Sequence, residues 1–150
     1  SREEIADFFL MFQRMEGLLA ELSAARRTDA QMTALRQIQR HMVATEREAD
    51  ASGHAVLNRE FHHLIHIMAR SPLLSEKQRN NFNMADFFIM HSAGFGAFMA
   101  DAVQEHDSII NAIANRQPER ARLVAEAHIA AVANSVHAGL AARMPESALA

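Results

Sequence analysis

Residues 99–128, MADAVQEHDSIINAIANRQPERARLVAEAH, decide the fold. Met99, Val103, His106, Ile110 and Ile113 recur at alternating spacings of four and three, the period of one helix face. Asn115-Arg116-Gln117 breaks the pattern, and Pro118 suits the first position of a new helix, where its missing N–H is not needed. Ala121, Val124, His128, Val132 and Ser135 then mark a second face. So short a break predicts two antiparallel helices. His106 lies eleven residues before Gln117 and His128 eleven after it, so the two rings are expected at the same height and facing each other.

The same period runs through the rest of the chain. A first helix is expected over about residues 2–25, with Ile5, Phe8, Phe9, Phe12, Met15, Leu19 and Leu22 on its stripe. A second starts near Thr28 or Asp29, both good caps, and carries Leu35, Ile38, Met42 and Thr45. Gly53 reads as a break, a third helix as about residues 54–70, and Ser71-Pro72 as its end. A fourth, rich in Phe and Met, covers about residues 74–90, with a loop at residues 92–96. The fifth and sixth span about residues 97–115 and 118–142, with a frayed tail from Met144. The expected fold is one all-α domain over residues 1–150, an antiparallel bundle of six, or seven, helices.

Composition narrows the function. The chain has 150 residues, 49% of them hydrophobic, enough for one domain with a real core. It has no cysteine, so any metal must be held by histidine and by carboxylate or amide oxygen. A net charge of −3 makes a poor nucleic-acid surface. No apolar run approaches the roughly 20 residues of a membrane span, and cysteine usage fits the cytoplasm. The start, Ser-Arg-Glu-Glu, lacks an initiating Met, which leaves room for a further N-terminal domain.

His62 joins the histidine pair as a third candidate, with Asn58 four residues earlier on the same helix face. One histidine on an apolar stripe is usually a hydrogen-bonded core residue. Three on three helices are harder to satisfy singly, since each unpartnered ring costs about 1–3 kcal/mol. One divalent transition ion held by Asn58, His62, His106 and His128 satisfies all of them. A neutral amide ligand leaves the ion's full charge, which favours an anionic effector at the open positions. His63 and His66 share a side with Arg59 and Arg70 and read as solvated, and His41, His54, His91 and His137 as surface or loop residues. Glu60-Phe61-His62-His63 contains one Glu-x-x-His, but a di-iron bundle needs two. Glu105 points about 100° away from His106 and reads as outside the site.

Asn58, Phe61-His62, Glu105-His106-Asp107 with Ile109, Ile110, Ala112 and Ile113, and then Ala121 and His128 together resemble the FadR C-terminal domain (FCD) of GntR-family transcription regulators. Met15-Glu16-Gly17-Leu18-Leu19-Ala20 is similar to that family's first-helix segment around a Glu. The resemblance implies a dimeric effector-binding domain whose Asn58, His62, His106 and His128 hold zinc or nickel. It implies a small carboxylate effector, and a winged helix-turn-helix, absent from these residues, that binds DNA. Phe12 stands where many relatives carry a ligand-contacting Arg, so Phe12, Arg14, Arg79 and Asn83 are the candidates for touching the effector. The alternatives are a metal-dependent hydrolase and a metal-free helical dimerisation module.

Overall fold

A computed structural model of the chain describes residues 1–92 and 94–143. Among the described residues six α-helices form the bundle: α1 Arg2–Arg26, α2 Asp29–Arg47, α3 Ala51–Met68, α4 Pro72–His91, α5 Met99–Ala114 and α6 Pro118–Arg143. A single 3₁₀ turn, Phe95–Ala97, precedes α5, and no strand occurs among the described residues. The tail from Met144 lies outside them.

Local chemistry explains most boundaries. Ser1 with Glu4, and Thr28 with Gln31, form capping boxes that satisfy the first free N–H groups of α1 and α2. The third helix starts earlier than the expected residue 54, because Asp50 is its cap. The Asp50 carboxylate accepts from the Gly53 N–H at 2.9 Å, so Gly53 sits inside the first turn and does not break the helix. A Cβ at Gly53 would meet Asp50 Oδ2 at 2.1 Å, so the residue type is set by the cap itself. α4 begins at Pro72, not Leu74, with proline at the helix start.

The decisive turn has a specific geometry. Gln117 N donates to Ala112 O at 3.0 Å and Arg116 N donates to Ile113 O at 3.1 Å, with Arg116 at φ +51°. This is a Schellman ending, which reverses the chain within three residues. Arg116 also donates to the carbonyls of Ala25 and Arg27, tying the turn to the end of α1.

α1 runs antiparallel along α6, with Arg14 paired to Glu126 and Glu21 to Arg122. Gly17 permits the close approach, since a Cβ there would lie 2.5 Å from Glu126 Cγ. Gly17→Ala is expected to destabilise by about 1–3 kcal/mol through overpacking. The double variant with Glu126→Ala is expected to recover part of this in thermal denaturation, and simple additivity of the two changes would refute the contact as the cause.

Two apolar clusters flank the bundle's middle. One joins Leu35, Met42, Phe61, Met68, Ile109 and Ile113. The other gathers Phe9, Phe12, Phe82, Phe98, Ile129 and Val136. The histidines lie where the two meet: His62 follows Phe61, and His128 precedes Ile129.

Candidate metal centre

His62 on α3, His106 on α5 and His128 on α6 converge in the interior. One ligand atom from each lies within 4.8 Å of the others. His106 Nε2 is 3.2 Å from His128 Nε2, and the His62 ring stacks on His128 at 5.4 Å between centroids. The equal sequence distances from Gln117 therefore do place the two rings opposite each other. All three are buried, between 0% and 4% exposed.

The nitrogens not facing the centre are held by carboxylates. His62 Nδ1 donates to Glu16 Oε2 at 2.8 Å, and His128 Nδ1 donates to Glu105 Oε2 at 2.5 Å. An ionised carboxylate only accepts, so both rings place a proton on Nδ1, which in the neutral imidazole leaves Nε2 free to accept or to ligate. Such carboxylate–imidazole pairs orient metal-ligating histidines and raise their basicity. His106 is oriented differently. Its ring stacks on Phe61 at 4.0 Å and 9°, and its buried Nδ1 has no hydrogen-bond partner among the described residues.

The donor set fits a divalent transition ion. Tetrahedral ligation at about 2.0–2.1 Å puts nitrogens roughly 3.3 Å apart, which the His106–His128 separation already matches. Burial, and then the neighbouring histidines, hold His106 well below its usual value, so it is neutral and competent to ligate. Burial likewise holds His62 down against the raising pull of Glu16. Asn58 is half-buried and lines the adjoining pocket with His62 and His128.

Three readings from sequence need correction. His66 is buried, not solvated: its Nε2 donates to Glu16 Oε1 at 2.5 Å, because α1 crosses that side of α3. His54 is buried against α2, where its Nδ1 lies 3.5 Å from Thr45 Oγ1. Glu105 does diverge from His106, but that divergence aims it across the interface at His128 on α6. Glu16 is the larger omission. It is 3% exposed and takes His62, His66 and Gln78 Nε2, the last at 2.8 Å. Burial alone would raise its carboxyl, yet the electrostatic pull of His66 and the hydrogen bonds donated by both histidines win and hold it well below the usual range. The signal available in sequence was a lone Glu on the buried stripe of α1.

Beside the histidines lies a narrow pocket that opens to solvent at its mouth. Of the residues expected at an effector, Phe12 lines it. Arg14 Nη1 donates to Glu126 Oε2 at 2.7 Å, Arg79 lines a separate pocket with His63 and His66, and Asn83 accepts from Arg59 at 3.1 Å.

Acid is expected to destabilise the domain in two stages. His54, His62 and His106 all sit below their ordinary 6.5, chiefly through burial. As pH falls below that value the unfolded chain binds protons that the folded one refuses. Stability is therefore complete above 6.5 and declines as pH drops toward the folded values, by up to about 1.4 kcal/mol per pH unit for each histidine. Glu16, also depressed, adds a second decline below its ordinary 4.5. Melting curves in chelator at descending pH test this; a melting temperature unchanged between pH ~7.5 and ~5.5 would refute the neutral buried histidines.

A family model of the FCD domain matches residues 7–131. Among solved structures, Streptococcus agalactiae GntR matches with a TM-score of 0.73 at 22% identity, covering 90% of this chain and 60% of that one. E. coli McbR/YncC matches with a TM-score of 0.80 at 11% identity, covering 92% of this chain and 66% of that one. The chain thus spans less than two thirds of either, and at these identities the likeness concerns the fold. No curated protein matches.

Proposed function

Because this chain belongs to the FCD domain family, we propose that it senses a small organic effector at a divalent metal centre and passes the result to a DNA-binding domain. FCD domains of GntR-family regulators are ligand-sensing regulatory domains and not enzymes, so the hydrolase alternative falls. No described helix is long and apolar enough to cross a membrane.

The observation that carries the reading is the pair of carboxylate-pinned histidines, His62 and His128, whose bare Nε2 atoms turn toward His106. Buried lone pairs turned toward one another are unfavourable without a shared cation or proton. Zinc or nickel bound there, with Asn58 as a further oxygen ligand, supplies a positive site for an acidic group of the effector. The chain's own residues do the rest. Glu16 and Glu105 fix the ring orientations, and the phenylalanines around the pocket exclude water.

Signalling follows from linkage. An effector with equal affinity for two arrangements shifts neither, so it acts by favouring one placement of the helices it touches. α1, α3, α4 and α6 all contribute to the pocket wall. The domain works as a homodimer in the cytoplasm. Exposed Met84, Phe87 and Met90 of α4 offer apolar area for the partner copy, and an N-terminal winged helix-turn-helix reads DNA.

The direct test is elemental mass spectrometry of untagged protein purified without chelator. About one zinc or nickel per chain supports the reading. No metal after reconstitution at neutral pH would leave a metal-free module in which His106 donates to His128.

A further inference from the structure

The pocket beside the histidines lacks the cations that an acid-binding site normally displays. Four rings, Phe12, Phe82, Phe95 and Phe98, face it, and among the described residues no Lys or Arg lines it. The one carboxylate on its wall outside the histidine cluster is Asp86. Arg59 pairs with Asp86 from the solvent side, with side-chain exposures of 54% and 15%. Burial raises the Asp86 carboxyl despite Arg59, so this group is already poorly solvated.

His54 also lines the pocket, and its Nδ1 faces the Thr45 hydroxyl. The Thr45 hydroxyl donates to the Met42 carbonyl at 2.8 Å, so its oxygen is left to accept from His54 Nδ1 at 3.5 Å. The other ring nitrogen of His54, Nε2, is then an acceptor. Away from His62 and His128, the pocket therefore offers aromatic faces, a carboxylate and an imidazole lone pair, with the Asn58 amide as the one donor group. A second carboxylate on a ligand would be desolvated beside Asp86, and the one nearby cation, Arg59, is already paired with Asp86 from the solvent side.

The geometry points to an effector that is a monoacid with a compact aromatic or apolar body and a hydrogen-bond donor at its far end, not a di- or tricarboxylate. This rests on the sensor reading above, which places the acid head at the His62–His128 face.

The experiment uses zinc-loaded protein whose zinc content has been measured beforehand. Calorimetric titrations compare para-methylbenzoate, para-hydroxymethylbenzoate, terephthalate and succinate. We expect para-hydroxymethylbenzoate to bind tightest, and terephthalate and succinate to bind about tenfold more weakly or worse. In Asp86→Asn, with zinc content unchanged, the gap between para-hydroxymethylbenzoate and terephthalate is expected to close. Terephthalate or succinate binding tightest, or no probe binding to zinc-loaded protein, would overturn this inference and leave the sensor reading standing. An undiminished gap in Asp86→Asn would remove Asp86 from it. A protein that takes up neither zinc nor nickel overturns the metal reading itself, and this inference with it.

Discussion

His128→Ala is expected to abolish stoichiometric metal binding, and with it the metal's contribution to stability. A metal at a thousandfold excess over its Kd stabilises the folded state by about 4 kcal/mol, equivalent to roughly 8–16 °C in a domain of this size. In wild-type protein, chelator should lower the melting temperature by that order; in His128→Ala, and likewise in His106→Ala, chelator should change nothing. The substitution is informative because the rings meet edge to face at 4.7 Å, so no neighbouring donor replaces the lost nitrogen without rearrangement. Glu105, 30% exposed, can rehydrate when its partner goes, so the chelator-treated variant is expected to remain folded. A His106→Ala/His128→Ala protein that kept one metal per chain would move the site elsewhere.

Glu16→Ala is expected to be the most damaging single change outside the histidines. It removes the acceptor for His62, His66 and Gln78 together, in a place that water does not reach. Unsatisfied buried donors cost about 1–3 kcal/mol each, and breaking a buried charged network typically costs roughly 3–5 kcal/mol in all. The loss should appear as a melting temperature lower by about 10 °C. Metal affinity should fall about 10–100-fold, because His62 loses the group that fixes its ring. Glu16→Gln keeps one acceptor oxygen and is expected to fall between wild type and Glu16→Ala. Equal stability of Glu16→Ala and wild type would mean that the network relaxes freely and does not hold His62 in place.

The number and order of the helices, the Pro118 start and the opposition of His106 to His128 were all legible in the residues. Helical rise is constant and the turn is short, so sequence distance from Gln117 converts directly into height along both helices. The period of the apolar residues determined which face of each helix turns inward, and His62 shares the inward face of α3 with Phe61 and Ile65. What the period does not contain is which helix lies opposite. Glu105 diverges from His106 in either case; only the packing of α6 against α5 turns that divergence into a contact with His128. Glu16 lies 46 residues from His62 and 50 from His66, and no local spacing relates them. His66 has the same periodic position as a solvated residue until α1 and α4 cover it. Pairing by Asp86 and Arg59 likewise required α3 and α4 to be placed side by side. The inward placing of the three histidines was thus written in short-range regularity. The groups that orient them, and the acceptor-lined pocket beside them, depend on side chains desolvated together by helices far apart in the chain, and tertiary packing alone decides that.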